Sequence, residues 1–294
     1  MFEGAHTALI TPFNDDREVD EKAFRAIIDE QFDNGISGIV PVGTTGESPT
    51  LNNDEHRRVI EIAVDQAAGR GLVIAGTGSN STREAIRMTK FAEEVGADAS
   101  LQVCPYYNKP SQEGLFQHYK AIGESTSLPI VLYSIPGRSV IEITVETQAR
   151  LHAACPNIRA MKEAGGDGAR IDEIHAALPD SYETLSGDDA LTIDFMSRGA
   201  KGVISVAGNL IPRAMSDLVA HMLAGETDAA SAIDQQFAPL FNAFLKLDTN
   251  PVPIKEAMAL AGKCSPLLRL PMVALSPEKR AELAETLKSL QILS

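Results

Sequence analysis

Short apolar runs alternate along most of the chain with longer segments in which apolar residues recur every three or four positions. The runs predict eight strands, at Thr7–Thr11, Gly38–Val42, Leu72–Gly76, Ala99–Cys104, Ile130–Tyr133, Ile158–Lys162, Tyr182–Ser186 and Gly202–Ser205. Each is followed by a helical pattern, clearest at Asp20–Phe32, Asn53–Ala68 and Ser81–Val95. Asp20, Asn53 and Ser81 are placed to cap those helices, their side chains accepting from free N–H groups of the first turn. Strands that alternate with helices pair in parallel, because a parallel connection needs a crossover. Eight such units predict a closed (β/α)8 barrel. A doubly wound open sheet is the alternative, but no G-x-G-x-x-G follows the first strand, and Gly76-Thr77-Gly78 is too short for that fingerprint. After about Gly225 the strand pattern stops, and Asp228–Lys246, Pro253–Ala261 and Pro277–Leu290 read as helices. The expected division is a barrel over residues 1–224 and a helical appendage over residues 225–294.

The length of 294 residues fits one barrel of about 250 residues plus an appendage. The net charge of −14 is spread along the chain, without an acidic tail. It speaks against a nucleic-acid partner, which needs a basic footprint, and against an anionic membrane surface. A few local cations and N–H groups can still hold an anionic substrate. The three cysteines, Cys104, Cys155 and Cys264, are far apart and form no C-x-x-C, so neither a disulfide framework nor a zinc site is expected. That usage, with no basic leader before Ala8-Leu9-Ile10 and no apolar run of about 20 residues, points to the cytoplasm. None of the six histidines has metal-ligand spacing, so no metal is expected and a metal-dependent aldolase is disfavoured.

Barrel active sites sit where the strands end. Ile158, Ala160 and Lys162 share one strand parity, so Lys162 faces the interior if its neighbours do. A desolvated lysine has a lowered pKa and a free amine able to attack a carbonyl. A surface lysine, or one paired with a carboxylate, fits the same pattern. Glu163 points to the opposite side and takes a structural role. Gly43-Thr44-Thr45-Gly46-Glu47 is a small-residue turn whose hydroxyls and N–H groups can hold a carboxylate, or an ordinary tight turn; without G-K-[ST] it is no P-loop. Tyr133 and Tyr107, bridged by Thr44, could relay a proton, or could simply pack. Arg138, after Pro136-Gly137, could clamp a carboxylate bidentately, or lie solvated.

Taken together, several segments resemble the dihydrodipicolinate synthase family of pyruvate-dependent Schiff-base aldolases and lyases. They are Val42 to Ser48, Leu51-Asn52 with Asp54-Glu55-His56, Ala75 to Gly78, Pro105 to Pro110, Tyr133 with Pro136 and Arg138, Lys162-Glu163-Ala164, Ser186 to Asp189, and Gly202 to Val206. The resemblance covers essentially the whole chain and rests on order and spacing. It implies that Lys162 forms an imine with pyruvate, that no other cofactor is needed, and that Thr44 and Thr45 hold the pyruvate carboxylate. It implies a proton relay of Tyr133, Thr44 and a Tyr107 from a neighbouring subunit. Arg138 would clamp L-aspartate 4-semialdehyde, and Gly187 and the Ile204 carbonyl would line the site. It further implies a homo-oligomer, a tetramer built from dimers, and feedback by L-lysine at Ser48, His56, Asn80, Glu84 and Tyr106. Asn53 stands where some lysine-sensitive members have His. Ser134 and Ser139-Val140 replace the usual Asn and Thr-Gly beside the aldehyde site. N-acetylneuraminate lyase or a 2-keto-3-deoxy sugar acid aldolase would share Lys162 and Tyr133, but not Tyr106-Tyr107 before Asn108-Lys109-Pro110, nor Arg138 in its turn. A barrel that merely senses a 2-oxo acid would need no Lys162.

Overall fold

The structure, a computed structural model, describes residues 1–293. The first half of the barrel runs β1 (Gly4–Ala8), α1 (Glu21–Asp33), β2 (Gly38–Val40), α2 (Asn53–Ala67), β3 (Leu72–Gly76), α3 (Thr82–Glu94), β4 (Ala99–Val103) and α4 (Gln112–Gly123). The second half runs β5 (Ile130–Ser134), α5 (Pro136–Ser139), α6 (Val145–Ala154), β6 (Ile158–Glu163), α7 (Ala169–Ala177), β7 (Glu183–Ser186), α8 (Thr192–Ser197), β8 (Gly202–Ser205) and α9 (Pro212–Leu223). The strands close in sequence order into a parallel barrel, with β8 pairing back to β1. Helices α10 (Thr227–Lys246), α11 (Val252–Leu260) and α12 (Pro277–Ser289) follow. They share one continuous apolar core with the outer layer of the barrel, Phe241, Ile254 and Leu283 joining Leu9, Ile28 and Ile60. No described helix is long and apolar enough to cross a membrane.

Five local expectations need correction. Strand β1 spans Gly4–Ala8, three residues earlier than its apolar run suggests. The polar residue that hid its start, His6, is fully buried, its Nε2 lying 2.8 Å from the Phe2 carbonyl oxygen. The strand ends where Ile10 N–H turns from the ladder to the Asn209 side chain, at 3.0 Å. Strand β2 stops at Val40, because Pro41 has no N–H to donate and Val42 takes a φ of 50°. The cap of α2 is Asn52, one residue before Asn53: its side chain accepts from the N–H groups of Asp54 and Glu55, and Glu55 completes a capping box. Ser81 does precede α3, but its side chain makes no capping hydrogen bond.

The fifth correction concerns parity. The β5–β6 register shifts by one residue, so that Ile130 opposes Ile158 while Val131 opposes Ala160. The bulge leaves Arg159 unpaired and exposed. Ile158 therefore points outward, with Ile130, Leu132 and Met161 beneath the helices. Ala160 points into the barrel with Val131, Tyr133, Leu185 and Ile204. The expectation for Lys162 was right, but its support from Ile158 was not.

The caps make a paired prediction. Asn52→Ala is expected to lower unfolding free energy by about 1 kcal/mol, and Ser81→Ala to change it by less than about 0.5 kcal/mol. Chemical denaturation of the two variants checks both values.

Candidate active site

A cavity of about 830 Å³ opens at the C-terminal ends of the strands. Its floor is barrel interior, including Ala8, Val40 and Leu101; its wall on one side is Phe241, Phe244 and the segment Asp248 to Asn250 after α10. Lys162 projects into it from β6, in register with Tyr133 on β5 and Leu185 on β7. Its side chain is buried, and Nζ lies 4.2 Å from the centroid of the Tyr133 ring. Burial removes the water that stabilises an ammonium and pulls its pKa down to about 8. The negative charge of Asp189 opposes this, Arg138 reinforces it, and Asp188 opposes it. Neither aspartate is hydrogen-bonded to the amine.

The remaining groups converge around that amine. Burial pushes the Tyr133 phenol up to about 12, against the nearby Arg138 charge and the Thr44 hydroxyl, so it stays protonated. Thr44 and Thr45 lie on the tight turn after β2, where Gly46 N–H donates to Gly43 O at 3.1 Å and Thr11 Oγ1 donates to Gly46 O at 2.7 Å. The Thr45 hydroxyl accepts from Asn250 Nδ2 at 3.0 Å. Arg138 sits on α5 at the cavity mouth, and its Nη2 donates to the Asn250 carbonyl at 2.7 Å. Gly187 lines the wall because nothing larger fits: a Cβ there would stand 2.7 Å from Ala164 Cβ and 3.0 Å from Lys162 Cε. Asp189 is buried beside them, its Oδ2 accepting from the N–H groups of Val206 and Ala207 at 3.1 and 2.8 Å. Burial raises its pKa to about 6, so it is ionised above that pH.

Two expected residues stand apart. Ile204 is buried in the barrel interior beneath the cavity, whose lining passes to Val206. Tyr107 does not meet Tyr133 within the chain; it is 91% exposed and held outward by a φ of 74°. The expected effector residues mostly meet. Ser48, His56, Glu84 and Tyr106 line a separate cavity of about 190 Å³, together with Asn53. Asn80 stays at its edge, its Nδ2 donating to the Tyr106 carbonyl at 3.1 Å. Burial lowers the His56 pKa, and the neutral ring donates from Nε2 to the Gly76 carbonyl at 2.8 Å. Ser48, Pro49, Gly78 and Tyr106 also line an intervening cavity of about 250 Å³ that reaches Thr44, Tyr133 and Arg138.

Sequence reasoning missed Asn250 and Lys255. Asn250 lies between two helical patterns, where nothing marked it as part of the site. Lys255 is a second fully buried lysine, but it is paired with the Glu47 carboxylate and lies outside the cavity lining. A charge inside the apolar run of α11 was its one visible signal. Burial lowers the pKa of both lysines, but a carboxylate is bound directly to the Lys255 amine and opposes the shift, whereas no carboxylate is hydrogen-bonded to Lys162.

Competitive labelling of amines is expected to titrate Lys162 near pH 8, since burial favours the neutral form. Asp189→Asn removes the charge that favours the ammonium, so the titration should move lower still. A Lys162 titration at the ordinary lysine value would contradict the geometry.

Comparison with known proteins agrees along the whole chain. The sequence profile of the Dihydrodipicolinate synthetase family matches residues 1–290. The 4-hydroxy-tetrahydrodipicolinate synthase of Aquifex aeolicus is 48% identical over 288 residues, covering 98% of this chain and 97% of its own. The crystal structure of the dihydrodipicolinate synthase of Acinetobacter baumannii complexed with pyruvate superposes with a TM-score of 0.97 at 41% identity, covering 100% of both chains. The DHDPS of Cyanidioschyzon merolae with lysine bound gives a TM-score of 0.95 at 38% identity, covering 99% of both. With the barrel, the unpaired lysine and the flanking hydroxyls in place, the family follows: this chain belongs to the dihydrodipicolinate synthetase family.

Proposed function

We propose that the protein condenses pyruvate with L-aspartate 4-semialdehyde, the reaction of a 4-hydroxy-tetrahydrodipicolinate synthase, through an imine on Lys162. The observation that carries this is the Lys162 amine, buried at the cavity floor without a paired carboxylate and with a pKa lowered to about 8. In its neutral form the amine adds to C2 of pyruvate, and loss of water leaves the iminium. The cation acidifies the methyl group, and loss of a proton gives the enamine. The enamine carbon attacks the aldehyde, and the substrate's own amine then attacks C2, closing the ring and releasing Lys162. No cofactor beyond the lysine enters this scheme.

Each neighbour has a place in it. The Thr44–Thr45 turn receives the pyruvate carboxylate. Tyr133, kept neutral by burial, carries protons during addition and dehydration, with Thr44 as its hydrogen-bonding link. Tyr107 completes the relay from a second subunit, which accounts for its exposure in the single chain. Such sharing requires at least a dimer, and a tetramer built from dimers is the assembly we assign. Arg138 takes the carboxylate of the aldehyde substrate at the cavity mouth. Gly187 leaves room for the Lys162 side chain, and the Ile204 carbonyl contributes to the floor. A sugar-acid aldolase reading lacks a use for Arg138 in this position.

The cavity around His56 and Glu84 suits L-lysine as a feedback inhibitor. Glu84 offers a carboxylate to an ammonium, while Ser48, Tyr106 and Asn80 offer neutral polar groups. Its shared wall with the intervening cavity gives a route to the Thr44 side.

Steady-state assays test both assignments. Arg138→Ala is expected to cut kcat/KM for the aldehyde by about 10- to 100-fold, as for a lost charge-assisted hydrogen bond, with KM for pyruvate little changed. Millimolar lysine should inhibit the parent enzyme, and Glu84→Ala should relieve that inhibition. Turnover of N-acetylneuraminate in place of the condensation would sink the proposal.

A further inference from the structure

The turn after β2 is strained. Val42 and Glu47 adopt φ values of 50° and 55°, in the left-handed region that residues with a Cβ avoid, β-branched valine most of all. Such a conformation persists where the surroundings over-determine it. Local hydrogen bonds supply part of the restraint, Glu47 N–H donating to Thr44 O at 3.1 Å. The C-terminal helices supply the rest. Glu47 is buried, and its Oε1 pairs with Lys255 Nζ of α11 while its Oε2 accepts from Arg269 N–H at 3.1 Å. Lys255 is fully buried, with Nζ 3.9 Å from the centroid of the Phe13 ring. Just before α11, Asn250 binds both the Thr45 hydroxyl and Arg138.

A buried ion pair is a poor source of stability, because stripping water from both charges offsets most of their attraction. Apolar groups of the same volume would fill the space as well. What the pair adds is direction: a charge-assisted hydrogen bond fixes the Glu47 side chain, and with it the turn two residues from Thr45.

We propose that Lys255 is a positioning residue which, through Glu47, holds the Thr44–Glu47 turn where the carboxylate of an imine-bound 2-oxo acid must lie. The proposal rests on the reading of Lys162 as the imine-forming residue. Once C2 of the oxo acid is bonded to Lys162, its carboxylate has one narrow place to go, and donors displaced from it lose the contact. Lys255 itself touches no substrate.

Single neutralisation leaves a buried charge unpaired and can unfold the protein, so the informative variant is Glu47→Gln with Lys255→Met. Its melting temperature and its kinetics with both substrates are measured beside the parent enzyme. The expected result is a folded protein whose KM for pyruvate rises by about tenfold or more. KM for the aldehyde should stay within about twofold, and kcat should fall less than KM rises. A folded double variant with unchanged KM for pyruvate overturns the proposal and leaves the pair as packing. If the double variant does not fold, Lys255→Arg, which keeps the charge but moves it, decides: a several-fold rise in the same KM supports the proposal, and parent-like kinetics overturn it. A parent enzyme that does not turn over pyruvate is a distinct result; it removes the Lys162 reading and this inference with it.

Discussion

Placing the Lys162 amine inside the barrel without a paired carboxylate strips an ammonium of its hydration, and the cost of the neutral amine falls. Burial acts on Tyr133 in the opposite direction on the pH scale but to the same end. The lysine falls to about 8, which brings the neutral amine within reach near neutral pH, and the tyrosine rises to about 12, which keeps the phenol protonated. A neutral amine can add to a carbonyl, and a neutral phenol beside it can give and recover a proton. The same desolvation thus suits both residues to the roles we propose for them. Asp189 keeps the balance from going further, its charge holding the amine above the value that burial alone would set.

Much of the surrounding structure serves that placement. The bulge at Arg159 turns the phase of β6, so that Ala160 and Lys162 face inward although Ile158 faces the helices. Gly187 clears the space the lysine side chain crosses. The β2 turn and α5 bring hydroxyls and a guanidinium to the same mouth, and Asn250 links the two. The C-terminal helices therefore belong to the site as well as to the core. They reach it through Asn250, Phe241 and Phe244 at the cavity wall and through Lys255 behind the turn.

The barrel was legible in the sequence because its signal is periodic: each apolar run and each amphipathic segment repeats the same local physics. That Lys162, Thr44, Thr45, Tyr133, Arg138 and Gly187 would meet around one cavity was legible because they sit at strand ends or in the turns just after them. What escaped was set by tertiary context. Nothing around His6 in the sequence says that its polar ring is buried in a strand. A one-residue bulge has no apolar signature, so the parity of Ile158 misled. Asn250 and Lys255 come together with Thr45 and Glu47 across more than 200 residues of chain, at separations no local pattern encodes. Tyr107 is 91% exposed in the single chain and does not meet Tyr133 there, so one chain cannot show what it contacts.

The most direct test traps the intermediate. The protein is incubated with pyruvate, reduced with borohydride, digested, and the modified peptide identified by mass spectrometry. A pyruvate-derived adduct on Lys162, absent from the equally buried Lys255, is the predicted result. A folded protein that yields no adduct, or one that carries it elsewhere, would contradict the account at its centre.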